Sequence, residues 1–316
     1  MRLPFLLFLV SAVAQEINFR ATVPVVVSPV TVTDGKGRLV DGLEADDFQV
    51  ADNGRPVAFR LETVDALTSP LALAVVAQTN DVSAHALLKI RKVGAMLQPL
   101  LTGERGAAAV VTYAERAEVA QDFTQDAGEM SRAMAQLRAA PERTARMLDA
   151  VSLAAATLAA RPAGERRVIL LLGESRDRGS ETALEAVLEQ LQRSNIQLYA
   201  ATYSTTKTQF ATKGSEMPRP SGGGLDLIGG LGELVRLGKA NTAEVLAAHS
   251  GGRKLPFSTL RGLESLLTRV GAELHGHYVI SFPATGPEGY HALEVTLKQA
   301  RGRSVVARQG YWAVAQ

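Results

Sequence analysis

The sequence lacks cysteine, a net charge of any size and any long apolar run after its first residues. Without Cys, disulfide scaffolds, thiolate zinc sites and cysteine nucleophiles are excluded. The 34 basic and 32 acidic side chains give a formal charge of +2, so electrostatic wrapping of nucleic acid is not expected. With 46% hydrophobic residues in 316, the chain has enough apolar material for about two packed domains.

The beginning of the chain has the pattern of an export signal. Arg2 precedes an apolar run over residues 3–13 that is too short to span a bilayer, and a small-x-small site ends at Ala14. We therefore expect residues 1–14 to be a signal peptide cleaved between Ala14 and Gln15. Since no later segment approaches the roughly 20 apolar residues of a membrane span, we expect an exported product, periplasmic or secreted.

Both ends of the remaining chain are rich in short β segments. Residues 22–33, 48–50 and 57–61 are separated by glycine turns, and residues 278–282 and 304–308 show the same pattern. The N-terminal part alone is too short to bury a stable hydrophobic core. We therefore expect residues 15–66 and 276–316 to form one small β-sandwich-like unit.

The middle of the chain alternates apolar strands with amphipathic helices. Strands are predicted at residues 71–77, 107–113, 118–123, 168–172, 197–202 and 254–257. Helices are predicted at residues 84–101, 130–137, 147–158, 182–193, 242–249 and 260–274. This alternation predicts an α/β fold, a Rossmann-like, doubly wound, mostly parallel six-stranded sheet over residues 67–275. Its one irregular segment is a Gly- and Pro-rich excursion at residues 204–240.

Several sequence blocks follow one another along the chain in a characteristic order. They are Val32-Thr33-Asp34-Gly35, Asp52-Asn53-Gly54-Arg55-Pro56, Arg176-Asp177-Arg178-Gly179-Ser180, Ala247-Ala248-His249-Ser250-Gly251-Gly252 and Arg308-Gln309-Gly310-Tyr311. This order resembles the von Willebrand factor A domain, and more closely its exported acidobacterial VWFA-related relatives. The resemblance implies a Rossmann-like adhesion domain, usually without catalysis, that recognises a protein or cell-envelope component.

Domains of this type commonly hold Mg²⁺ through a metal-ion-dependent adhesion site. The family pattern is Asp-x-Ser-x-Ser after the first strand, a Thr in a second loop and an Asp after the fourth strand. In this sequence those positions are occupied by Gln78, Asn80, Val82, Ala145 with Thr144 beside it, and Glu174. Because this set holds little of the negative charge that Mg²⁺ prefers, we expect the metal site to be lost and no cofactor to bind.

The same loops also allow two alternative hypotheses about function. In the first, Asp81, Ser83 and Glu174 form a shifted ligand set for Mg²⁺, although Asp81 and Ser83 are also typical of helix N-caps. In the second, Ser175 is the nucleophile of a serine hydrolase, because Gly173-Glu174-Ser175 reads Gly-x-Ser between a strand and a helix. The final Gly of that motif is missing, and no His is identified as its base.

We therefore predict a non-enzymatic interaction or adhesion protein with a degenerate metal site. In an open doubly wound sheet, ligands bind beyond the carboxyl ends of the strands, near the point where the strand order reverses. We call this edge the upper face. Its predicted partner-binding residues are Gln78, Asn80, Asp81, Ser83, Thr144, Glu174, Arg176 and Asp177.

Overall fold

The computed structural model describes residues 25–63, 70–162, 164–204, 241–276, 278–284 and 286–313. The signal peptide predicted at residues 1–14, and all but the first residue of the excursion predicted at residues 204–240, lie outside these ranges. No helix in the described part of the chain is long and apolar enough to cross a membrane.

A six-stranded sheet lies at the centre of the molecule. Its strands are β5 (Leu71–Gln78), β6 (Ala107–Tyr113), β7 (Ala117–Thr124), β8 (Arg166–Gly173), β9 (Ile196–Thr202) and β10 (Lys254–Pro256). Their order across the sheet is β10-β9-β8-β5-β6-β7, and only the pairing of β6 with β7 is antiparallel. The predicted six-stranded, mostly parallel sheet is therefore confirmed, with each strand within two residues of its expected bounds.

Helices cover both faces of this sheet. They are α1 (Ala84–Ile90), α2 (Gly94–Leu97), α3 (Ala127–Gln136), α4 (Met147–Ala159), α5 (Leu184–Arg193), α6, described over residues 241–250, and α7 (Leu260–His275). Because alternate side chains of a strand point to opposite faces, Ala72 and Ala74 contact the α4, α5 and α6 layer. Leu73 and Val75 contact the layer of α1, α2, α3 and α7.

The prediction of one long helix over residues 84–101 is wrong in its continuity, because the segment is divided into shorter pieces. Helix α1 ends at Ile90, α2 begins at Gly94, and residues Gln98–Thr102 form a π-helical turn. At Gly94, a Cβ atom would lie 2.9 Å from Cβ of Met134 on α3. The close approach of α2 to α3 therefore requires glycine at this position, a packing demand that helical periodicity does not reveal.

Strands from both ends of the described chain form two further sheets. The strands are β1 (Val25–Thr33), β2 (Phe48–Asp52), β3 (Arg55–Pro56), β4 (Arg60–Thr63), β11 (Tyr278–Pro283), β12 (Gly289–Leu297), β13 (Ser304–Ala307) and β14 (Gly310–Ala313). One sheet has the order β13-β1-β11-β4 and the other β14-β12-β2-β3. Val30 and Ile280 of the first sheet share an apolar cluster with Phe48 and Leu293 of the second. The single strand predicted over residues 57–61 is replaced by the separate strands β3 and β4.

Polar contacts join these terminal strands to the central domain. The hydroxyl of Tyr290 on β12 lies 2.9 Å from Nδ1 of His249 on α6. The guanidinium of Arg308, between β13 and β14, is buried and lies 3.5 Å from the Gln192 carbonyl oxygen at the end of α5. The carbonyl end of a helix attracts a cation, which stabilises Arg308 in this position.

Candidate functional site

The upper face contains a reversal of strand order. From β5 the chain continues to β6 and β7 on one side of the sheet, and then crosses to β8, β9 and β10 on the other. Strands β5 and β8 are adjacent and parallel, so Gln78 and Gly173 end side by side at the same edge. The residues predicted after these two strands therefore lie where open α/β sheets bind ligands.

The carboxamide of Gln78 connects the two strand ends. It is fully buried, and its Nε2 donates to Oδ1 of Asn80 at 2.8 Å and to Oε2 of Glu174 at 3.3 Å. Its Oε1 accepts the backbone N–H of Glu174 at 2.7 Å. Reversing the amide would place oxygen against oxygen and N–H against N–H, so the partners fix its orientation.

Glu174 lies beneath an arginine. Glu174 is 7% exposed, whereas the Arg178 side chain is 46% exposed, with its Nη2 atom 3.2 Å from Oε2 of Glu174. The carboxylate is thus neutralised by a guanidinium that also faces solvent. At the end of β8, the solvent therefore meets the positive charge of Arg178 rather than the buried carboxylate of Glu174.

Tyr113, at the end of β6, closes the site from below. Its side chain is buried, and its hydroxyl lies 3.5 Å from Oε1 of Gln78. Burial, followed by smaller contributions from Tyr203, Asp177 and Glu174, raises the pKa of Tyr113 well above its ordinary value. The hydroxyl therefore stays protonated and serves as a donor.

The second loop of the site joins α3 to α4. Its backbone crosses the upper face, because Ala140 N–H donates to the Thr79 carbonyl and Ala145 pairs in both directions with Arg178. The Asn80 side chain donates to the Arg143 carbonyl at 3.4 Å. The Thr144 hydroxyl oxygen is buried without a hydrogen-bond partner in the described residues.

Asp177 holds two neighbouring segments of the upper face together by hydrogen bonds. Its carboxylate accepts the backbone N–H of Leu148 at 3.1 Å and the hydroxyl of Ser180 at 2.6 Å. Leu148 lies in the first turn of α4, where N–H groups lack helical partners, so Asp177 stabilises the start of that helix. Arg176, one residue earlier, is exposed.

The interpretation of Asp81 and Ser83 as N-cap residues holds for the position of Ser83 at the start of α1, but its side chain makes no capping hydrogen bond, and Asp81 begins the preceding 3-10 turn. The Ser83 hydroxyl instead donates to the Asn80 carbonyl at 2.6 Å, because the segment Asp81–Ser83 forms a short 3-10 turn. Asp81 is exposed, whereas Ser83 is buried.

The upper-face residues do not fit a magnesium ion. The Gln78 amide nitrogen directs its two donors at the Asn80 and Glu174 oxygens that a cation would need. Val82 and Ala145 have no ligand atom in their side chains. No group of three or more His, Asp or Glu side chains in the described ranges is arranged to hold a metal.

The surroundings of Ser175 do not form a nucleophile elbow. Such an elbow places its Ser on a tight turn between a strand and a helix. Here residues 174–183 separate the end of β8 from the start of α5. His249 contacts Tyr290 and His291 contacts Asp52, so these two imidazoles are engaged elsewhere.

With this geometry established, the fold can be named. The chain has the fold of a von Willebrand factor A domain, the domain after which two similar solved structures are named. No protein-family model matches the chain, and no curated protein matches it. Similarity is therefore seen only with solved structures, at the level of the fold.

Three of these structures illustrate the similarity. Proximal thread matrix protein 1 from the mussel byssus, solved with a zinc-occupied MIDAS motif, is 14% identical with a TM-score of 0.49. The match covers 71% of this chain and 49% of that protein, so this chain spans about half the mussel protein's length. BatB from Bacteroides thetaiotaomicron is 10% identical, with a TM-score of 0.45 and coverages of 64% and 98%. A von Willebrand factor type A protein from Catenulispora acidiphila is 11% identical, with a TM-score of 0.46 and coverages of 93% and 76%.

Sequence reasoning missed three residues of the site. The sequence predicts Tyr113 only as the end of a buried strand and Arg178 only as part of a block that resembles the family. The third is Gly173, predicted only as part of the Gly-x-Ser pattern, where a Cβ atom would lie 2.2 Å from the Tyr113 hydroxyl and 2.9 Å from Oε1 of Gln78. The signal for Arg178 was its spacing of four from Glu174, which is typical of an ion pair.

Proposed function

We propose that the chain is an exported, non-enzymatic von Willebrand A-like protein whose upper face binds another protein or an envelope component without a bridging metal. The observation that supports this proposal is that the Gln78 carboxamide donates hydrogen bonds to the side-chain oxygens of Asn80 and Glu174, the atoms that a cation would need. A partner would therefore meet protein side chains at this face. We expect the contacts to be made around Gln78, Asn80, Asp81, Ser83, Thr144, Glu174, Arg176 and Asp177.

Within this surface, we assign direct contact to the exposed members. Gln78, Asn80, Ser83 and Glu174 are buried and hold the loops in position. Asp81 and Arg176 are exposed, and Arg143 and Arg178 lie beside them on the crossing loops. Arginine side chains are frequent anchors of protein interfaces because one guanidinium donates several hydrogen bonds in a plane.

We also propose how the chain is divided. Residues 1–14 are a signal peptide, residues 67–275 the A domain, and residues 15–66 and 276–316 the two parts of one β-sandwich unit. Support for the last point comes from the pairing of β1 with β11 and from the apolar cluster that the two terminal sheets share. Fractionation of cells that express the tagged chain, with sequencing of its N-terminus, tests export and cleavage after Ala14.

The absence of a bridging metal is tested by thermal melting. An ion that binds only the native state must raise the melting temperature of the protein. We expect the same melting temperature with millimolar Mg²⁺, with millimolar Mn²⁺ and with chelator. A rise of several degrees with either metal would overturn the metal-free proposal and favour the ligand set Asp81, Ser83 and Glu174.

The binding face is tested by capture from envelope extract. The bait is the mature chain, and the test variant carries Arg143→Glu and Arg176→Glu at exposed positions of the upper face. The matched control carries Arg55→Glu and Arg60→Glu, two exposed arginines on the terminal strands β3 and β4. We expect the test variant to lose the captured proteins and the control to keep them. Equal capture by both would exclude the upper face as the binding surface.

A further inference from the structure

A polar groove lies beside the upper face, between β7 and α3. It encloses about 500 Å³, and its lining includes Thr79, Gln121, Glu129, Arg132, Gln136 and Arg138. Thr79 is the residue between Gln78 and Asn80, so the groove opens next to the site described above. None of the residues predicted for the upper face lines this groove.

Two arginines of the groove are held in place by backbone carbonyls. Nε of Arg132 donates to the Gly128 carbonyl at 3.2 Å, one helical turn earlier in α3. Nη1 of Arg138 donates to the carbonyls of Ala135 and Leu137, both at 3.0 Å. These bonds occupy one nitrogen of each guanidinium and leave its other donors available. Part of the ordering cost of binding an anion is thereby already met by the fold.

The acidic side chain of the groove does not neutralise these arginines. Oε2 of Glu129 accepts the Thr124 hydroxyl at 2.7 Å. Neither Arg132 nor Arg138 forms a salt bridge within the described ranges. Among the side chains that line the groove there are therefore two positive charges and one negative charge, and more hydrogen-bond donors than its own acceptors use. Asp126, outside the lining, also attracts Arg132 electrostatically.

We propose that this groove binds an acidic, extended peptide segment of a partner protein. Guanidinium groups pair with carboxylates through two parallel hydrogen bonds, so Arg132 and Arg138 would each hold a Glu or Asp side chain. The side-chain amides of Gln121 and Gln136 would pair with peptide groups between them, because an amide both donates and accepts. This site is separate from the proposed function of the upper face, although one partner could reach both through Thr79.

The test uses fluorescence anisotropy with the mature chain and fluorescein-labelled hexaglutamate. The groove variant carries Arg132→Gln and Arg138→Gln, and Arg132→Gln alone serves if the loss of Arg138 from the end of α3 impairs folding. Arg55→Gln with Arg60→Gln is the matched control, since it removes the same charge from two other exposed arginines. We expect the groove variant to bind hexaglutamate about tenfold or more weakly and the control to bind as the native chain does.

Three outcomes would overturn the proposal. They are undetectable binding to the native chain, equal affinity in the groove variant and the control, and equally tight binding of a labelled hexaserine peptide. A variant with Arg143→Gln and Arg176→Gln separates the two sites. If that variant alone loses hexaglutamate, the peptide binds the upper face, and the groove proposal fails while the proposed function stands.

Discussion

The backbone N–H of Glu174 donates to Oε1 of Gln78 at 2.7 Å, and Nε2 of the same Gln78 donates to a carboxylate oxygen of Glu174 at 3.3 Å. One amide therefore contacts the end of the neighbouring strand β8 through both its acceptor and its donor. Asp at position 78 could not make both contacts, because an ionised carboxylate only accepts hydrogen bonds. This relationship supports the proposal that the upper face binds no cation, and it offers a direct way to test that proposal.

Gln78→Asp is expected to destabilise the chain and to create metal sensitivity. The substitution brings a second carboxylate against buried Glu174, which costs on the order of 3 kcal/mol of unfolding free energy. Because Mn²⁺ would then find two carboxylates, it should raise the melting temperature of this variant by several degrees. Gln78→Met, which loses the hydrogen bonds without adding charge, should be destabilised but indifferent to Mn²⁺. An equal metal response in all three proteins would refute the argument.

Gly173→Ala is expected to disrupt the site by overpacking. The added methyl group would lie 2.2 Å from the Tyr113 hydroxyl, and buried Tyr113 has little room to move. We expect a loss of about 2 kcal/mol in chemical denaturation. Tyr113→Phe removes the obstructing oxygen, so the double variant should recover much of that loss. Additive effects of the two substitutions would show that the methyl group clashes elsewhere.

Acid is expected to weaken the contact between helix α6 and the terminal strand β12. Burial lowers the pKa of His249 to about 4 from an ordinary value of 6.5. The neutral imidazole is therefore favoured by the fold, and its stabilising contribution is present above pH 6.5 and lost as the pH falls toward 4. This titration costs about 3 kcal/mol by pH 4.

The measurement for His249 is the unfolding free energy between pH 7 and pH 4. Other groups titrate in the same range, so the informative quantity is the difference between the native chain and His249→Gln. That difference should shrink or reverse in acid, because the variant lacks the buried group that must be protonated. Parallel pH profiles would show that His249 does not control this response.

Tyr311→Phe is expected to destabilise the terminal sheets through Asp52. The Tyr311 hydroxyl donates to Oδ2 of Asp52 at 2.7 Å, and Nδ1 of His291 lies 2.8 Å from Oδ1. Removing the hydroxyl leaves a buried carboxylate oxygen without its donor, which costs about 2 kcal/mol. A double-mutant cycle with Asp52→Asn should give a coupling energy of about 1 kcal/mol or more. Independent effects would mean that the pair does not act as a unit.

The central sheet could be predicted because its strands are buried on both faces. Leu71–Gln78 and Arg166–Gly173 are apolar over most of their length and are bounded by polar loops, so periodicity alone locates them. The ends of these strands, and therefore Gln78 and Glu174, followed directly. What could not be predicted was the break before Gly94, which depends on a helix more than 30 residues later in the chain.

The chemistry of the site was predicted less completely than its position. The sequence shows Gln78, Asn80 and Val82 at the positions to which the resemblance assigns acidic and hydroxyl ligands, but it does not show the direction of the Gln78 amide. Tyr113 ends strand β6 and Arg178 lies in the loop after β8, so they meet Gln78 and Glu174 only in the folded chain. The orientation of the Ser83 side chain depends on a local 3-10 turn. The position of Ser83 before an amphipathic helix does not predict that turn.

The pairing of the two chain ends has a consequence for the order of folding. Val25 on β1 pairs with Pro283 on β11, more than 250 residues later, and β2 pairs with β12 over a similar distance. During synthesis, β1 to β4 therefore exist without most of their partners until almost the entire chain has been made. Unpaired strands are prone to associate with other chains. Such long-range pairing also slows folding, so we expect the central sheet and its helices to fold first and to bring the two ends together.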